Sequence, residues 1–497
     1  MNDQSKKTPG VMASQSPVFL YAALLSLCLL AGCAVSPDYR RPKLDLPESW
    51  PTKQGDASQP AAFAGDRWWS LYADPILDKL EEEALAYNAD IQAAAARVLE
   101  VRAQLGISEA DQNLTVSANA KGSRTENSLT GAVQRPATAP RIQNSARVTL
   151  DASYELDLWG KLRRASEAVR AELLAAESAR ETVRLSLAAQ VAQQYFNLVS
   201  YDGQETVIRQ ILNGRQERIA LNRKRLEAGV ISEYDLHQAE ADEAATQSQL
   251  ASLIHARNRQ ETALALLLGR SPREVMGGKP ERGSPRLATA PVPEGLPAEL
   301  LLRRPDLKEA EARLAALNAR IDVARSQLFP SITLTSYLGS ESTALSSLFG
   351  GPAGIFQFAA NAAQPIFNAG RVDYTVKAAE ARRDQALAQY KQAVANAFAD
   401  VRNALSAQEA ARQVWASENA RSKALTQAYK QAELRYRGEI SNRMELLDVE
   451  RNYLQAELNR LDAERAQRVA VADLFKALGG RWQSTDKPVS AKTGRGQ

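Results

Sequence analysis

The chain has little of what catalytic centres and disulfide scaffolds are made from: two histidines, two cysteines and four methionines in 497 residues. His237 and His255 stand far from either cysteine, and no H-E-x-x-H, Walker loop, G-x-S-x-G or dinucleotide fingerprint occurs. Those absences argue against an enzyme and against a metal centre; no catalytic residue and no metal ligand is expected. A charge of one sign is missing too. Lys plus Arg number 62 against 58 Asp plus Glu, for a net +4 with no basic block, which excludes a typical nucleic-acid binder. Aromatics make up only 6%. Proline is absent from 161–228 and 371–437, and the only glycines there are Gly203 and Gly214. Long stretches rich in Ala, Gln, Glu and Arg favour extended helices over one compact core.

One long apolar run is present, Val18 to Leu30, broken only by Ser26 and preceded by Lys6 and Lys7. Thirteen helical residues span about 20 Å, less than the roughly 30 Å of a bilayer core, so a secretion signal is the better reading than a membrane helix. Leu30-Ala31-Gly32-Cys33 follows and resembles the lipobox of bacterial lipoproteins. That resemblance implies removal of 1–32, a diacylglycerol and an N-acyl chain on Cys33, and no other cofactor. Ala34 in place of Asp implies onward sorting to the outer membrane.

The chain is also written twice. Gly269 and Gly479, each closing a Leu-rich run, are 210 apart, as are Gly160 and Gly370; Asp90-Ile-Gln-Ala-Ala-Ala-Ala-Arg97 matches Asp306-Leu-Lys-Glu-Ala-Glu-Ala-Arg313 at 216. The extra residues of the first copy fit a loop at about 122–146, longer than its counterpart at 341–353. The expected organisation is an N-terminal segment 33–73, a first repeat 74–268, a linker 269–297, a second repeat 298–482 and a tail 483–497.

Each repeat carries two runs of alternating polarity, expected as strands at about 113–121 and 146–154, then 331–339 and 354–362. Period-two alternation gives each strand one apolar and one polar face. Four strands cannot close a barrel, and open sheet edges are forbidden in lipid, so transmembrane strands would force an oligomer. The rest of each repeat reads as a long helical hairpin, at about 161–268 and 371–478. Val183, Leu187, Val191, Tyr195 and Leu198 step by four, four, four and three; Tyr390, Val394, Phe398, Val401 and Leu405 step by four, four, three and four, as coiled-coil seams do. Gly229 and Gly438 are expected to stop the outgoing helices in the left-handed conformation. Ser232 with Asp235, and Asn442 with Glu445, are spaced to cap the return helices. The Gly- and Pro-rich linker is expected to be irregular rather than helical.

With these residues in hand, the chain resembles the TolC family of outer-membrane factors, in its lipoprotein branch of OprM-like and NodT-like efflux proteins. The resemblance rests on Cys33-Ala-Val-Ser-Pro-Asp-Tyr39, Trp68-Trp69, Asp74-Pro75 and Tyr154-Glu-Leu-Asp-Leu-Trp-Gly-Lys161. It continues through Ala228-Gly-Val-Ile-Ser232, Leu301-Leu-Arg-Arg-Pro-Asp306, Phe329-Pro-Ser-Ile332, Pro365-Ile-Phe367 and Leu446-Leu-Asp448. It implies a mostly α chain with a transmembrane β-barrel: a homotrimer giving four strands per chain to a twelve-stranded barrel on a periplasmic α-helical tunnel. It implies as partners a periplasmic adaptor, an inner-membrane RND-type pump and outer-membrane lipid. Gly229, Ser232, Gly438 and Ser441 fall at the hairpin tips where adaptors dock. Asp448 and Arg451, with Met444 one turn earlier and Asp235 on the other hairpin, fall at the gate where the tunnel is pinched. Met444 stands where relatives often carry Leu. Three-fold symmetry would make Asp448 a ring of carboxylates whose field a narrow lumen strengthens, favouring cations. Taken without the resemblance, Asp448 and Arg451 also fit a solvated i, i+3 pair worth a few tenths of a kcal/mol. The expected function is the exit channel of a tripartite efflux system for drugs or other small toxic compounds; a type I protein-secretion or metal-efflux duct is the alternative.

Overall fold

The computed structural model describes residues 39–45, 67–128, 140–287, 302–438 and 440–480. The signal segment, Cys33, the second half of the linker and the tail lie outside the described residues. Helices α1 (Pro75–Tyr87) and α2 (Ala89–Ala110) precede strands β1 (Thr115–Glu126) and β2 (Ile142–Leu156). Helices α3 (Lys161–Glu227), α4 (Glu233–Leu267) and α5 (Pro272–Gly277) follow. The second half contains α6 (Pro305–Ser326), β3 (Ser331–Ser342), β4 (Gly354–Ala363), α7 (Arg371–Arg437) and α8 (Arg443–Ala477). The helices of the two halves match in length: α3 and α7 each have 67 residues, α4 and α8 each 35, α2 and α6 each 22. At 1.5 Å per residue each long helix is about 100 Å.

Equivalent positions do equivalent work in the two halves. Gly160 and Gly370, and Gly269 and Gly479, all take positive φ. At Gly269 a Cβ would come within 2.2 Å of the Tyr87 carbonyl, so glycine is required twice over. Asn88 caps α2 by accepting from the Asp90 N–H at 2.8 Å, and donates to the Leu267 carbonyl at 2.9 Å where α4 ends. Arg304, its counterpart 216 residues on, donates to the Ala477 carbonyl at 2.7 Å where α8 ends.

The chain divides into two compact units. One contains Ala103–Ala171 and Leu314–Gln385 and holds the sheet. Its strands run antiparallel in the order β1-β2-β3-β4. Register puts Val116 beside Ala152, Leu150 beside Leu338 and Leu338 beside Phe356, so the apolar positions share one face. On that face Val116, Leu150, Leu338, Phe356 and Phe358 are exposed in the single chain. The other face is polar and internally bonded. Asp151 accepts from Thr149 at 2.9 Å and from Asn119 at 2.5 Å. Arg147 pairs with Glu341 at 3.6 Å and lies over the Tyr337 ring. Beneath the sheet the Trp159 indole donates to the Pro330 carbonyl at 2.7 Å and stacks on Phe329.

The strands are longer than their alternation announces. Much of the expected loop at 122–146 is strand, because Arg124, Thr125 and Glu126 continue the ladder opposite Asn144, Gln143 and Ile142. Arg141 closes it with a 2.8 Å ion pair to Glu126. Backbone pairing needs no apolar side chain, so polarity understated the strand length.

The second unit contains Glu172–Arg313, Ala386–Gln497 and Lys43–Arg102. The seam residues Leu187, Val191, Tyr195 and Leu198 of α3, and Tyr390, Val394 and Val401 of α7, are buried. Here the structure holds more core than the sparse aromatics suggest. Trp68, Trp69 and Tyr72 form a 3-10 turn that packs on Leu187, Phe196, Leu264, Val471 and Phe475, with Trp68 stacked on Phe475 at 5.4 Å.

Two expectations need correction. The linker is not wholly irregular: Ser271 caps α5, Pro272 opens it, and Glu274 reaches back to the Ser271 N–H at 2.8 Å. That capping box outweighs the surrounding glycines and prolines. Gly438 does not adopt the left-handed conformation expected of it, whereas Gly229 does at φ 69°. The Gly438 N–H still donates to the Leu434 carbonyl in helical fashion. At the repeat offset of 210, Gly229 matches Glu439, which lies outside the described residues.

Candidate channel gate at the hairpin ends

The α4 end of the first hairpin begins with a complete capping box. Asp235 N–H donates to Ser232 Oγ at 3.3 Å, and the Asp235 carboxylate accepts the Ser232 hydroxyl at 2.7 Å and its N–H at 3.3 Å. The Ser232 hydroxyl, then its N–H, hold the Asp235 carboxyl below the usual carboxylate range, with Arg443 adding to the effect. In the second hairpin Asn442 Oδ1 accepts from the Glu445 N–H at 2.9 Å and starts α8. Ser441 precedes that cap, with its hydroxyl turned inward.

Asp448 and Arg451 follow on the second and third turns of α8. Their charged ends are 3.7 Å apart and both side chains are 67% exposed. Asn452 donates to the other Asp448 oxygen at 3.3 Å. Met444 is also exposed. On a helix of 100° per residue, Met444, Asp448 and Arg451 lie within one arc of about 60°. Asp235 joins a different partner: Arg443 donates to its main-chain carbonyl, and the same guanidinium is 3.7 Å from its carboxylate. The structure thus links the hairpins through Asp235 and Arg443, next to Met444, and keeps Asp448 with Arg451 on an open face.

Sequence reasoning missed the polar group behind this face. Glu450 is fully buried, with Arg215 Nε 2.7 Å from Oε1 and Arg218 in ion-pair contact with Oε2. Arg215 also donates to the Asp242 carbonyl at 2.6 Å and to Thr246 Oγ1 at 2.7 Å. Tyr429 of α7 stacks on Tyr453 of α8 at 5.0 Å. The signal was available: Leu446, Glu450 and Leu454 step by four, placing an acid in an apolar seam.

No group of histidine, cysteine and carboxylate side chains able to hold a metal occurs among the described residues. Among them, too, no helix is long and apolar enough to cross a membrane, which says nothing of the sheet.

The comparisons agree with this architecture. The model of the outer membrane efflux protein family matches residues 80–270 and again 296–480. The cation efflux system protein CusC of Escherichia coli O6:H1 is 33% identical over 467 residues, spanning 93% of this chain and 99% of that protein. The antibiotic efflux pump outer membrane protein ArpC of Pseudomonas putida is 32% identical over 469 residues, 93% of this chain and 96% of its own length. Among solved structures, the Campylobacter jejuni CmeC outer membrane channel superposes with a TM-score of 0.86 at 26% identity, covering 92% of this chain and 96% of that one. With two hairpins carrying charged ends, four strands sharing an apolar face and a family match over both halves, the chain belongs to the outer membrane efflux proteins, the TolC-family channels, and is an outer-membrane exit channel of a tripartite efflux system.

Proposed function

We propose that three copies of this chain form a passive duct for drugs and other small toxic organic compounds, fed by a periplasmic adaptor and an RND-type pump. The observation that carries the reading is the four-stranded sheet, whose terminal strands β1 and β4 each leave one edge without a partner strand among the described residues and whose apolar face is exposed. Lipid tolerates no open edge, so β4 of one copy pairs with β1 of the next, and three copies close twelve strands. The polar face, with Asn119, Arg147, Asp151 and Glu341, then lines the lumen.

In this reading Asp448 and Arg451 form the gate, with Met444 as its apolar element and Asp235 holding the neighbouring hairpin. Gly229, Ser232, Gly438 and Ser441 mark the ends on which the adaptor docks. Cys33 carries the lipid anchor, and no other cofactor takes part. As a duct the chain performs no catalysis; energy and selection reside in the pump. The name of ArpC, an antibiotic efflux pump protein, favours organic cargo, whereas that of CusC, a cation efflux protein, favours cations as the second reading.

The test is crosslinking in cells followed by identification of what co-purifies, with conductance of the purified protein in planar bilayers. A crosslinked trimer that conducts, recovered with an adaptor and a proton-driven pump, is the expected result, and the pump assigns organic or metal cargo. A non-conducting monomer, or recovery with an ATP-driven exporter, removes the reading. Loss of acyl chains from the Cys33→Ser variant by mass spectrometry tests the anchor.

A further inference from the structure

Glu450 and Asp448 sit two residues apart, which on an α-helix is about 200° of rotation, so they occupy opposite sides of α8. Glu450 is buried between Leu446 and Leu454, while Asp448 and Arg451 are exposed. A carboxylate fully removed from water is tolerated only where opposite charge meets it, and both Arg215 and Arg218 do so from α3. Arg215 turns its Nη1 donors to α4, at the Asp242 carbonyl and the Thr246 hydroxyl. One guanidinium therefore joins both helices of the first hairpin to one side of α8. Thr246 itself donates to the Asp242 carbonyl at 2.9 Å, so the acceptors of this joint are fixed as well.

An apolar seam resists rotation weakly, because one aliphatic contact replaces another. A buried ion pair does not permit such slippage: turning α8 by one residue would carry Glu450 about 100° out of reach of both arginines. We infer that Glu450 is the positioning residue of the gate, setting the rotation of α8 so that Asp448 and Arg451 face the lumen, and coupling that rotation to the first hairpin through Arg215. The inference rests on the assignment of Asp448 and Arg451 as the gate. It lies about 12 Å along α8 from the Asn442 cap, so the Arg443–Asp235 link is a separate attachment.

The experiment is single-channel recording of the full-length protein in planar bilayers, with trimer content checked by native electrophoresis. Asp448→Ala, Glu450→Gln and their combination are compared with the unmodified protein. The expected result is a rise in closed-state conductance of about twofold or more for each single variant, with the double variant no leakier than the larger single one. That non-additivity separates positioning from general loosening, because Glu450 acts only through where Asp448 points. Additive increases, or an unchanged Glu450→Gln beside a leaky Asp448→Ala, overturn the positioning role and leave the gate assignment standing. An unchanged Asp448→Ala overturns the gate assignment and this inference with it. If Glu450→Gln yields no trimer, Arg215→Lys decides by the same criterion. It keeps the charge but loses the fork that reaches Glu450, Asp242 and Thr246 together.

Discussion

Tyr195 donates its hydroxyl to the carboxylate of Asp74 at 2.6 Å, joining residues 121 positions apart in a fully buried contact. Asp74 meanwhile caps α1 at the Ile76 N–H, and the Gly283 N–H of the linker donates to the Tyr195 oxygen at 2.7 Å. One phenol thus ties the start of α1, the middle of α3 and the linker together. A Cβ on Gly283 would lie 2.2 Å from an Asp74 oxygen, so only glycine allows this approach. Tyr195→Phe is expected to cost about 1–3 kcal/mol by leaving both neighbours short of a partner. Gly283→Ala is expected to destabilise similarly, and thermal melting of the purified protein checks both. Melting points unchanged within error would show that the contact is dispensable.

Glu81 of α1 is fully buried and its two oxygens have no hydrogen-bond partner among the described residues. Burial pushes its carboxyl well above the usual range, and the nearby Asp78 adds to the shift. A carboxyl raised in the folded state keeps its proton while the unfolded chain ionises. Stability is therefore fullest below the unfolded value near pH 4.5 and declines as pH rises toward the folded value, by up to about 1.4 kcal/mol per pH unit. Glu81→Gln has no proton to lose. Its melting temperature relative to the unmodified protein should rise as the pH is raised above about 4.5; a gap independent of pH would show that Glu81 is not held neutral.

The Ser232–Asp235 box has the opposite sign. Because the Asp235 carboxyl is lowered by the Ser232 hydroxyl, its contribution is present above the unfolded value near pH 4 and is lost as pH falls through the lowered folded value. Ser232→Ala should fray the first turn of α4 by about 1 kcal/mol, the usual cost of a lost cap. Hydrogen exchange of the amides following Ser232 reads this directly. Equal protection in variant and parent at pH 7 would rule the effect out.

Asp448→Ala and Arg451→Ala should leave the melting temperature nearly unchanged, since an exposed i, i+3 pair contributes only a few tenths of a kcal/mol. Both should raise single-channel conductance. Asp448→Ala should also weaken preference for cations, because it removes the carboxylates. Closed-state conductance that stays the same in both variants would exclude these residues from the gate.

How much was legible in the sequence follows from how local each signal is. The repeat, the helical seams and the strand faces were readable because periodicity of 2 or about 3.6 is written in consecutive residues. The caps at Ser232 and Asn442 were readable for the same reason. The ends of β1 and β2 were not, because ladder pairing at Arg124–Asn144 needs only backbone. The helix at Pro272–Gly277 was masked by its neighbours' composition, although its Ser271–Glu274 box is local. Gly438 misled because glycine permits the left-handed conformation without requiring it.

By itself the sequence determined the elements, their duplication and the four amphipathic strands, since these depend on the order of polar and apolar side chains. It also proposed candidate gate residues, through resemblance rather than through spacing. Only the tertiary structure decided which charges were solvated and which were buried. Asp448 and Glu450 are two acids on one helix, alike in sequence; packing against Arg215 and Arg218 makes one a surface charge and the other an internal joint. Tyr195 met Asp74, and Arg443 met Asp235, for the same reason: such partners come from distant segments, and only folding brings them within bonding distance.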